Sequence, residues 1–337
     1  MKTSYLIAIG LIIVIVAVGA GAYYVTRPTP TPSPEEFRVA LILFGAALDG
    51  SWNEFWYDGA HEIELLHPEI TVTVSEWVYT ADYERVAGGY AAQGYDLIVA
   101  TTPEYQTPAL KIASDYPDTM TVIQGGWLNA SNVAPLNLWS NEGSFLAGKL
   151  AAHMSNTSKI GVVGSFTFPS QIAAHEGFMA GARSVNPNID ISEAFTESWI
   201  DTALGRSASI AMMDGGVDVI AYSTSGMALG GIPACEERGK LAIGAFLDMN
   251  SIAPQTVITS VLWKSAGPVM KVIDDIRDGT FDGRTKDYIF FMKEGAIDIA
   301  PYHYFEDMIP TDVKEEIAEA REAIINGTLT VPLVTSR

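Results

Sequence analysis

Short apolar runs alternate with longer stretches of helical spacing along most of the chain. The first apolar run spans residues 39–44, and an amphipathic stretch at 54–66 follows it. Short apolar runs bounded by turn signals are typical of buried strands, and strands that alternate with helices form parallel sheets. The pattern up to residue 124 therefore predicts the order β-α-β-α-β-α-β, a parallel sheet covered by helices on both faces. The other elements predicted in this half are strands at 70–77, 96–100 and 119–124 and helices at 82–93 and 105–115.

The same alternation begins again after residue 125. It ends in a predicted helix at 311–326, for which Thr311 is the expected N-cap and Gly327 the expected stop. The other elements predicted in this half are strands at 160–163, 189–195, 217–221, 241–245 and 257–262 and helices at 142–154, 170–186, 265–277 and from about 201 and 227.

Two similar α/β halves predict two domains with a cleft between them. The loops at the carboxyl ends of the strands would line this cleft, where ligands bind in open α/β sheets, and hinge closure is the expected motion. The predicted bounds are 37–125 with 250–290 for the first domain and 126–249 with 291–337 for the second.

The N-terminus carries an almost unbroken apolar run at 5–25, preceded by Lys2. About twenty apolar residues span a membrane as a helix, so residues 1–26 are predicted to be a membrane anchor or a signal segment. Gly19-Ala-Gly-Ala22 offers a cleavage site, which leaves both readings open. Alternating prolines at 27–36 predict an extended linker between this segment and the body. Lys2, the only charge on the short side of the run, places the N-terminus in the cytoplasm and the body on the extracytoplasmic face. Acceptor sequences for N-glycosylation agree with that location and occur at Asn129, Asn156 and Asn326.

The composition excludes several classes of function. A formal net charge of -20 argues against a nucleic-acid-binding surface. The single cysteine, Cys235, excludes an intramolecular disulfide and is expected to be a small buried apolar residue. Five histidines lie scattered without metal-ligand spacing, and no phosphate-binding loop or nucleophile elbow is present. The sequence therefore predicts no metal, no cofactor and no catalytic residue.

The segment Asp49-Gly-Ser-Trp-Asn-Glu-Phe-Trp-Tyr-Asp-Gly59 gathers a carboxylate, a hydroxyl, an indole and an amide directly after the first predicted strand. Such groups at a strand end suit a planar ligand with hydrogen-bonding edges. A second interpretation is purely structural: Ser51 caps the following helix, and its aromatic residues point into the core.

Four segments resemble the basic membrane protein (BMP) family of ABC-transporter solute-binding proteins, which includes purine nucleoside receptors. They are Asp49–Gly59, Asn141–Ala152, Gly177–Pro187, and Gly244–Asn250 followed by Thr259-Ser260 and Lys264. The resemblance implies a type I periplasmic-binding-protein fold, two doubly wound parallel-sheet domains joined by a hinge. It also implies a purine ligand and, as partners, a membrane permease with its ATPase. Residues 129–137 and the turn Ser165–Pro169 are closer to a subgroup that takes a purine base such as adenine.

The candidate ligand-binding residues follow from strand-end positions in the first half. Trp52 lies where the resemblance places an aromatic residue, which implies that it stacks on the ligand, and Asp49 and Asn53 are the candidates to read the polar edge. Hydroxyl groups at Thr101 and Thr102 can donate and accept, so they also suit a base edge. Tyr105 and Trp127 lie in the loops that follow the third and fourth strands. A capped helix start and buried aromatic residues remain the alternative at each of these positions.

Further candidates come from the second half. Phe166 and Phe168 follow a strand and could provide a second stacking ring. The resemblance assigns a ligand-holding carboxylate to Asp248 and a ribose contact to Lys264, and Ser225 lies in a turn that departs from the family's glycine-rich pattern. That departure leaves open whether the ligand carries a sugar.

Three functions compete at this level. The first is a receptor that delivers its ligand to a permease without chemistry, and the others are a ligand-binding sensor ectodomain and a purine-processing hydrolase. The hydrolase is the least favoured of the three, because the sequence shows no nucleophile–base pair or metal set.

Overall fold

The computed structural model describes residues 36–336. The predicted membrane segment at 1–26 and residues 27–35 of the linker lie outside this range. Within it, no helix combines the length and the apolar character needed to cross a membrane.

The described residues contain twelve strands, which form two six-stranded sheets. They are β1 (Phe37–Ile42), β2 (Ile70–Ser75), β3 (Leu97–Ala100), β4 (Met120–Gln124), β5 (Val133–Leu138), β6 (Lys159–Gly164), β7 (Asp190–Phe195), β8 (Val219–Tyr222), β9 (Leu241–Phe246), β10 (Val257–Trp263), β11 (Tyr288–Phe290) and β12 (Ile297–Ile299). The strand orders are β11-β5-β4-β3-β1-β2 and β12-β10-β9-β8-β6-β7. Only β12, which pairs with β10, is antiparallel among the described strand pairs.

Nine α-helices within residues 36–336 connect and cover these strands. They are α1 (Trp52–Leu66), α2 (Thr80–Ala92), α3 (Gln106–Ala113), α4 (Asn141–Met154), α5 (Pro169–Val185), α6 (Thr202–Asp214), α7 (Ser225–Glu237), α8 (Ala266–Arg277) and α9 (Thr311–Ile325). Single turns of 3-10 helix lie at Pro103–Tyr105, Met249–Ile252 and His303–Phe305.

Both faces of the first sheet are buried, which explains its near-continuous apolar strands. Val39 and Leu41 of β1 pack in the core that includes α1 and α8, whereas Ala40 and Ile42 pack in the core that includes α2 and α3. In the second sheet, α6 and α7 cover one face, and Cys235 lies in that core. Burial raises the pKa of the Cys235 thiol to about 11, so the expectation of a small buried apolar residue is confirmed.

The chain passes between the two sheets three times: between β5 and α4, between β10 and α8, and between β11 and β12. Backbone hydrogen bonds tie these crossings together, from Trp139 N to Phe290 O (3.0 Å) and from Lys264 N to Ala296 O (2.8 Å). The sheets divide the chain differently from the predicted bounds. Strand β5 belongs to the first sheet although 126–249 was assigned to the second domain, and β10 belongs to the second sheet although 250–290 was assigned to the first.

The sequence pattern missed β5, because Pro135 lies inside it and proline is uncommon in central strands. Backbone bonds from Thr121 N to Asn132 O and from Gly125 N to Leu136 O turn the even-numbered carbonyls of this strand toward β4. Pro135 therefore faces the β11 side, where the ladder begins only at Leu136, and its missing N–H leaves no ladder bond broken.

Helices α4 and α5 pack with their backbones almost in contact. A Cβ atom placed on Gly148 would lie 2.0 Å from the carbonyl oxygen of Phe178, and one on Gly181 would lie 1.9 Å from that of Phe145. Only glycine permits this approach, since real Cβ atoms essentially never come within 3.0 Å of another heavy atom.

The ends of two helices correct details of the prediction. Thr311 is the first residue of α9 and Pro310 is its N-cap, whereas Gly327 follows the helix with φ +78° and ends it as expected. Ser51 precedes α1 but makes no capping bond with its side chain.

A buried carboxylate fastens the segment after α8. Asp275 is 5% exposed and accepts hydrogen bonds from Lys271 (2.7 Å), Thr280 (3.1 Å) and Tyr288 (3.2 Å), with Lys286 Nζ at 2.9 Å. Burial alone would raise the pKa of Asp275, but these partners outweigh it and hold the pKa well below its usual value.

We expect Asp275→Asn to lower the free energy of unfolding by about 2 kcal/mol at pH 7, because two lysines lose a buried partner but stay partly exposed. An aspartate with a depressed pKa contributes stability that is present above the unfolded pKa of about 3.9 and is lost as pH falls through the folded value. The difference between wild type and variant should therefore shrink below about pH 4. Urea melts across pH measure it, and Glu237→Gln, in the exposed pair with Arg206, is the control with no expected change.

Candidate functional site

The carboxyl ends of the two sheets face each other. The Oγ atoms of Ser51, which precedes α1, and Ser225, at the start of α7, are hydrogen-bonded across the gap. The ring of Trp52 lies 5.1 Å from that of Phe246 and 5.7 Å from that of Trp263, at the ends of β9 and β10. Residues at the strand ends of both sheets thus meet here, where the sequence predicts the interdomain cleft.

Asp49 and Asn53 are occupied in holding the loop before α1. The Asp49 carboxylate accepts from Ser51 N (2.9 Å), Glu54 N (3.2 Å) and Asn53 Nδ2 (2.7 Å). Asn53 is 7% exposed, and its Oδ1 accepts from Gly45 N. Asp49 therefore caps α1 in place of Ser51, so these two residues follow the structural interpretation, and their predicted contact with a ligand stays a prediction.

Trp52 is held rigidly and remains partly exposed. Its Nε1 donates to the carbonyl oxygen of Thr101 (2.9 Å), and its ring makes edge contacts with four other aromatic rings. A fixed indole at the junction of both sheets has the geometry of a stacking wall.

Thr101 and Tyr105 prove to be core residues. Thr101 is fully buried and donates to Ile42 O (2.8 Å). Tyr105 is also fully buried, stacks on Tyr83 with ring centroids 4.5 Å apart, and donates its hydroxyl to Val78 O. Neither side chain reaches solvent, and the ligand contacts predicted for both residues stay predictions. Thr102 is partly exposed and bonds to the Glu104 carboxylate.

An aromatic cluster lies at the strand ends of the second sheet. Phe166 and Phe168 both contact Trp199, and the Phe168 and Trp199 rings are nearly parallel (6°) with centroids 5.8 Å apart. Phe168 is 48% and Trp199 39% exposed. Trp199 is not among the predicted site residues, although its position just after β7 (Asp190–Phe195) is a usable signal.

The other predicted residues are more scattered. Trp127 is 68% exposed and its backbone N–H donates to the Gln106 side chain. Asp248 lies 2.6 Å from His303 Nε2, and Lys264 is exposed at the second crossing. Burial alone would raise the pKa of Asp298. Hydrogen bonds from Arg321 and the charge of Lys264 outweigh this effect, so the pKa of Asp298 lies below its usual value.

Among the five buried side-chain polar atoms that lack a partner within the described residues, two lie at or directly after the carboxyl ends of β4 and β5. They are Oε1 of Gln124, the last residue of β4, and Nε1 of Trp139, which follows β5. A buried polar atom usually bonds to protein, water or ligand, so Gln124 joins the candidate site. The sequence signal was a polar residue that closes an apolar strand.

Two further points bear on chemistry. No group of three or more His, Cys, Asp or Glu side chains in the described part of the chain is placed to hold a metal ion. His175, one of the five scattered histidines, lies in α5 and is fully buried beside Glu193 and Ser223.

Two α/β domains whose strand ends meet across a cleft define a two-domain binding protein. The sequence profile of the Bmp family, described as "ABC transporter substrate-binding protein PnrA-like", matches residues 37–334, and the chain belongs to this family. This confirms the resemblance and the class of ABC-transporter substrate-binding proteins, a family that works outside the cytoplasm.

Several proteins are similar to this chain. A purine-binding protein of Brucella abortus (strain 2308) is 31% identical over 298 residues, 88% of this chain and 83% of that protein. The transcriptional activator protein med of Bacillus subtilis (strain 168) is 25% identical over 283 residues, 84% of this chain and 86% of that protein. An ABC-transporter solute-binding protein from Conexibacter woesei has a similar structure, with a TM-score of 0.74 at 22% identity over 88% of this chain and 99% of that one. The predicted type I periplasmic-binding-protein fold is confirmed.

Proposed function

We propose that this protein captures a purine base or purine nucleoside, such as adenine, adenosine or guanosine, in its interdomain cleft and delivers it to the permease of an ABC importer. The observation that carries the proposal is the presence of aromatic rings at the strand ends of both sheets, the partly exposed Trp52 in the first and the exposed Phe168–Trp199 pair in the second. The purine-binding relative from Brucella abortus supports the same ligand class.

The chemistry of a purine fits this arrangement. Stacking on an aromatic ring contributes roughly 1–3 kcal/mol per base in nucleic-acid systems. The unpaired Gln124 oxygen and the Thr102 hydroxyl supply groups for the polar edge. Asp248 and Lys264, both exposed, are the candidates for a sugar.

A thermal-shift screen tests the ligand class. We expect adenine, adenosine or guanosine to raise the melting temperature, because a ligand at a hundredfold excess over Kd stabilises the fold by about 2.7 kcal/mol. Ribose, glucose and amino acids serve as controls. A shift with one of these and with no purine would contradict the proposal.

Two alternatives are separated by what happens to the bound ligand. The relative named as a transcriptional activator favours a sensor as the second candidate, and uptake of labelled purine by cells with and without this protein distinguishes transport from sensing. Recovery of the purine unchanged after long incubation distinguishes binding from hydrolysis.

A further inference from the structure

A buried hydrogen-bonded chain ends at the cleft of the second domain. His175 of α5 is fully buried, with Nδ1 2.7 Å from Glu193 Oε1 on β7 and Nε2 2.9 Å from Ser223 Oγ after β8. Its ring lies nearly parallel to that of Phe195, 4.4 Å away. A Cβ atom on Gly164 would lie 2.5 Å from His175 Nε2, so the glycine that ends β6 makes room for the contact.

The chain continues beyond Ser223 to Gln171. Ser223 Oγ lies 2.6 Å and Thr224 Oγ1 3.0 Å from Gln171 Oε1, and both hydroxyls donate to it. Gln171 Nε2 donates to the backbone carbonyl of Ser223 (3.2 Å). That bond fixes the orientation of the amide, so the atom facing the two hydroxyls is the oxygen, which can only accept.

The number of protons available to these groups determines which hydrogen bonds the Ser223 hydroxyl donates and which it accepts. Its single hydroxyl proton goes to Gln171, so Ser223 Oγ accepts from His175 Nε2, and Nε2 must carry a proton. The hydrogen bond between His175 Nδ1 and Glu193 Oε1 requires a second proton, which lies between these two atoms. One lone pair of Ser223 Oγ remains without a partner among the bonds described above. Ser223 is partly exposed in the turn just before α7, whose first residue, Ser225, contacts Ser51 of the first domain.

We propose that Ser223 contacts the ligand and that its hydroxyl acts there as a hydrogen-bond acceptor for an amino, ring N–H or hydroxyl group. His175, Glu193 and Gln171 are positioning residues that fix this polarity. The proposal rests on the proposed function and adds a specificity determinant to it: ligands that present a donor at Ser223 bind better than analogues that present an acceptor.

The same side chains have the order and distances of a serine-hydrolase triad, nucleophile, base and carboxylate. The proton count opposes that reading. A catalytic serine must give its proton to the histidine, whereas Ser223 donates to Gln171 and His175 Nε2 already carries a proton. The three residues lie on three elements, up to 48 positions apart, so no sequence spacing could reveal them.

Nitrogen-15 NMR of the ligand-free protein at pH 7 tests the proton count without any ligand. We expect a directly bonded proton on His175 Nε2 that exchanges slowly because the ring is buried. An unprotonated Nε2 would overturn the proposal, and so would hydrolysis of p-nitrophenyl acetate that Ser223→Ala abolishes.

Calorimetric titration with adenine tests the contact. We expect Ser223→Ala to weaken adenine binding about tenfold, because a ligand donor loses its acceptor. Ser207→Ala, on the exposed face of α6, is the matched control and should bind like wild type. Equal affinities for wild type and Ser223→Ala would overturn the contact, whereas a wild type that binds no purine would instead contradict the proposed function.

Discussion

Replacing Trp52 by alanine is expected to weaken purine binding roughly 5- to 150-fold, the equivalent of losing 1–3 kcal/mol of stacking. The indole is partly exposed where both sheets meet, and its hydrogen bond to Thr101 O holds the ring in one orientation. Because the indole is already held in one orientation, binding costs little side-chain entropy there, so most of the stacking free energy contributes to affinity. Calorimetric titration with adenine and adenosine measures the loss.

Trp52→Phe is the matched control for this experiment. It keeps a stacking ring and loses only the Nε1 bond, so we expect affinity within about fivefold of wild type. Far-UV circular dichroism of both variants checks that the fold is retained. If alanine binds as tightly as phenylalanine, Trp52 does not form a wall of the ligand site.

The predicted strands agree best with the structure where burial is complete. Strand β9 was predicted at 241–245 and spans Leu241–Phe246, because a parallel strand covered on both faces must be apolar throughout. Strands β11 and β12 are three residues long, too short for any periodicity, and β5 contains Pro135, which is uncommon in central strands. Strands β11 and β12 pair with β5 and β10, which are distant in sequence.

The location of the candidate site could be predicted from the strand ends, but not what each side chain there contacts. A polar residue after a strand can cap the next helix, bond to a neighbouring strand or face the ligand. Asp49 caps the next helix and Thr101 bonds to a neighbouring strand. Ser223 bonds to the buried His175 and is also partly exposed. Which of these contacts a polar residue makes depends on side chains from other elements, such as His175, and no local sequence pattern specifies them.

Two of the four family-like segments have a structural explanation. Asn141–Ala152 lies in α4, and most of Gly177–Pro187 lies in α5. Three of their glycines, Gly148, Gly177 and Gly181, are points where the two helices touch. The resemblance there reflects helix packing, not ligand contact. The segment around Asp49 and the one around Asp248 lie at strand ends, where ligand contacts are expected in open α/β sheets.

Gly181→Ala is expected to lower the free energy of unfolding by about 3 kcal/mol. Its new methyl group would lie 1.9 Å from Phe145 O, so α4 and α5 must move apart along their whole contact. This cost exceeds the gain in helix propensity from replacing glycine, which is roughly 1 kcal/mol. Urea denaturation followed by circular dichroism measures the difference.

Gly89→Ala in α2 separates the two contributions. No heavy atom lies within 4 Å of the Cβ position there, so alanine adds helix propensity without a clash and should stabilise the protein by roughly 0.5–1 kcal/mol. Opposite signs for two identical substitutions in helix interiors would show that packing against a neighbouring backbone selects the glycine in α5. A Gly181→Ala variant as stable as wild type would mean that the two helices can separate without cost, and the shared segments would then need another explanation.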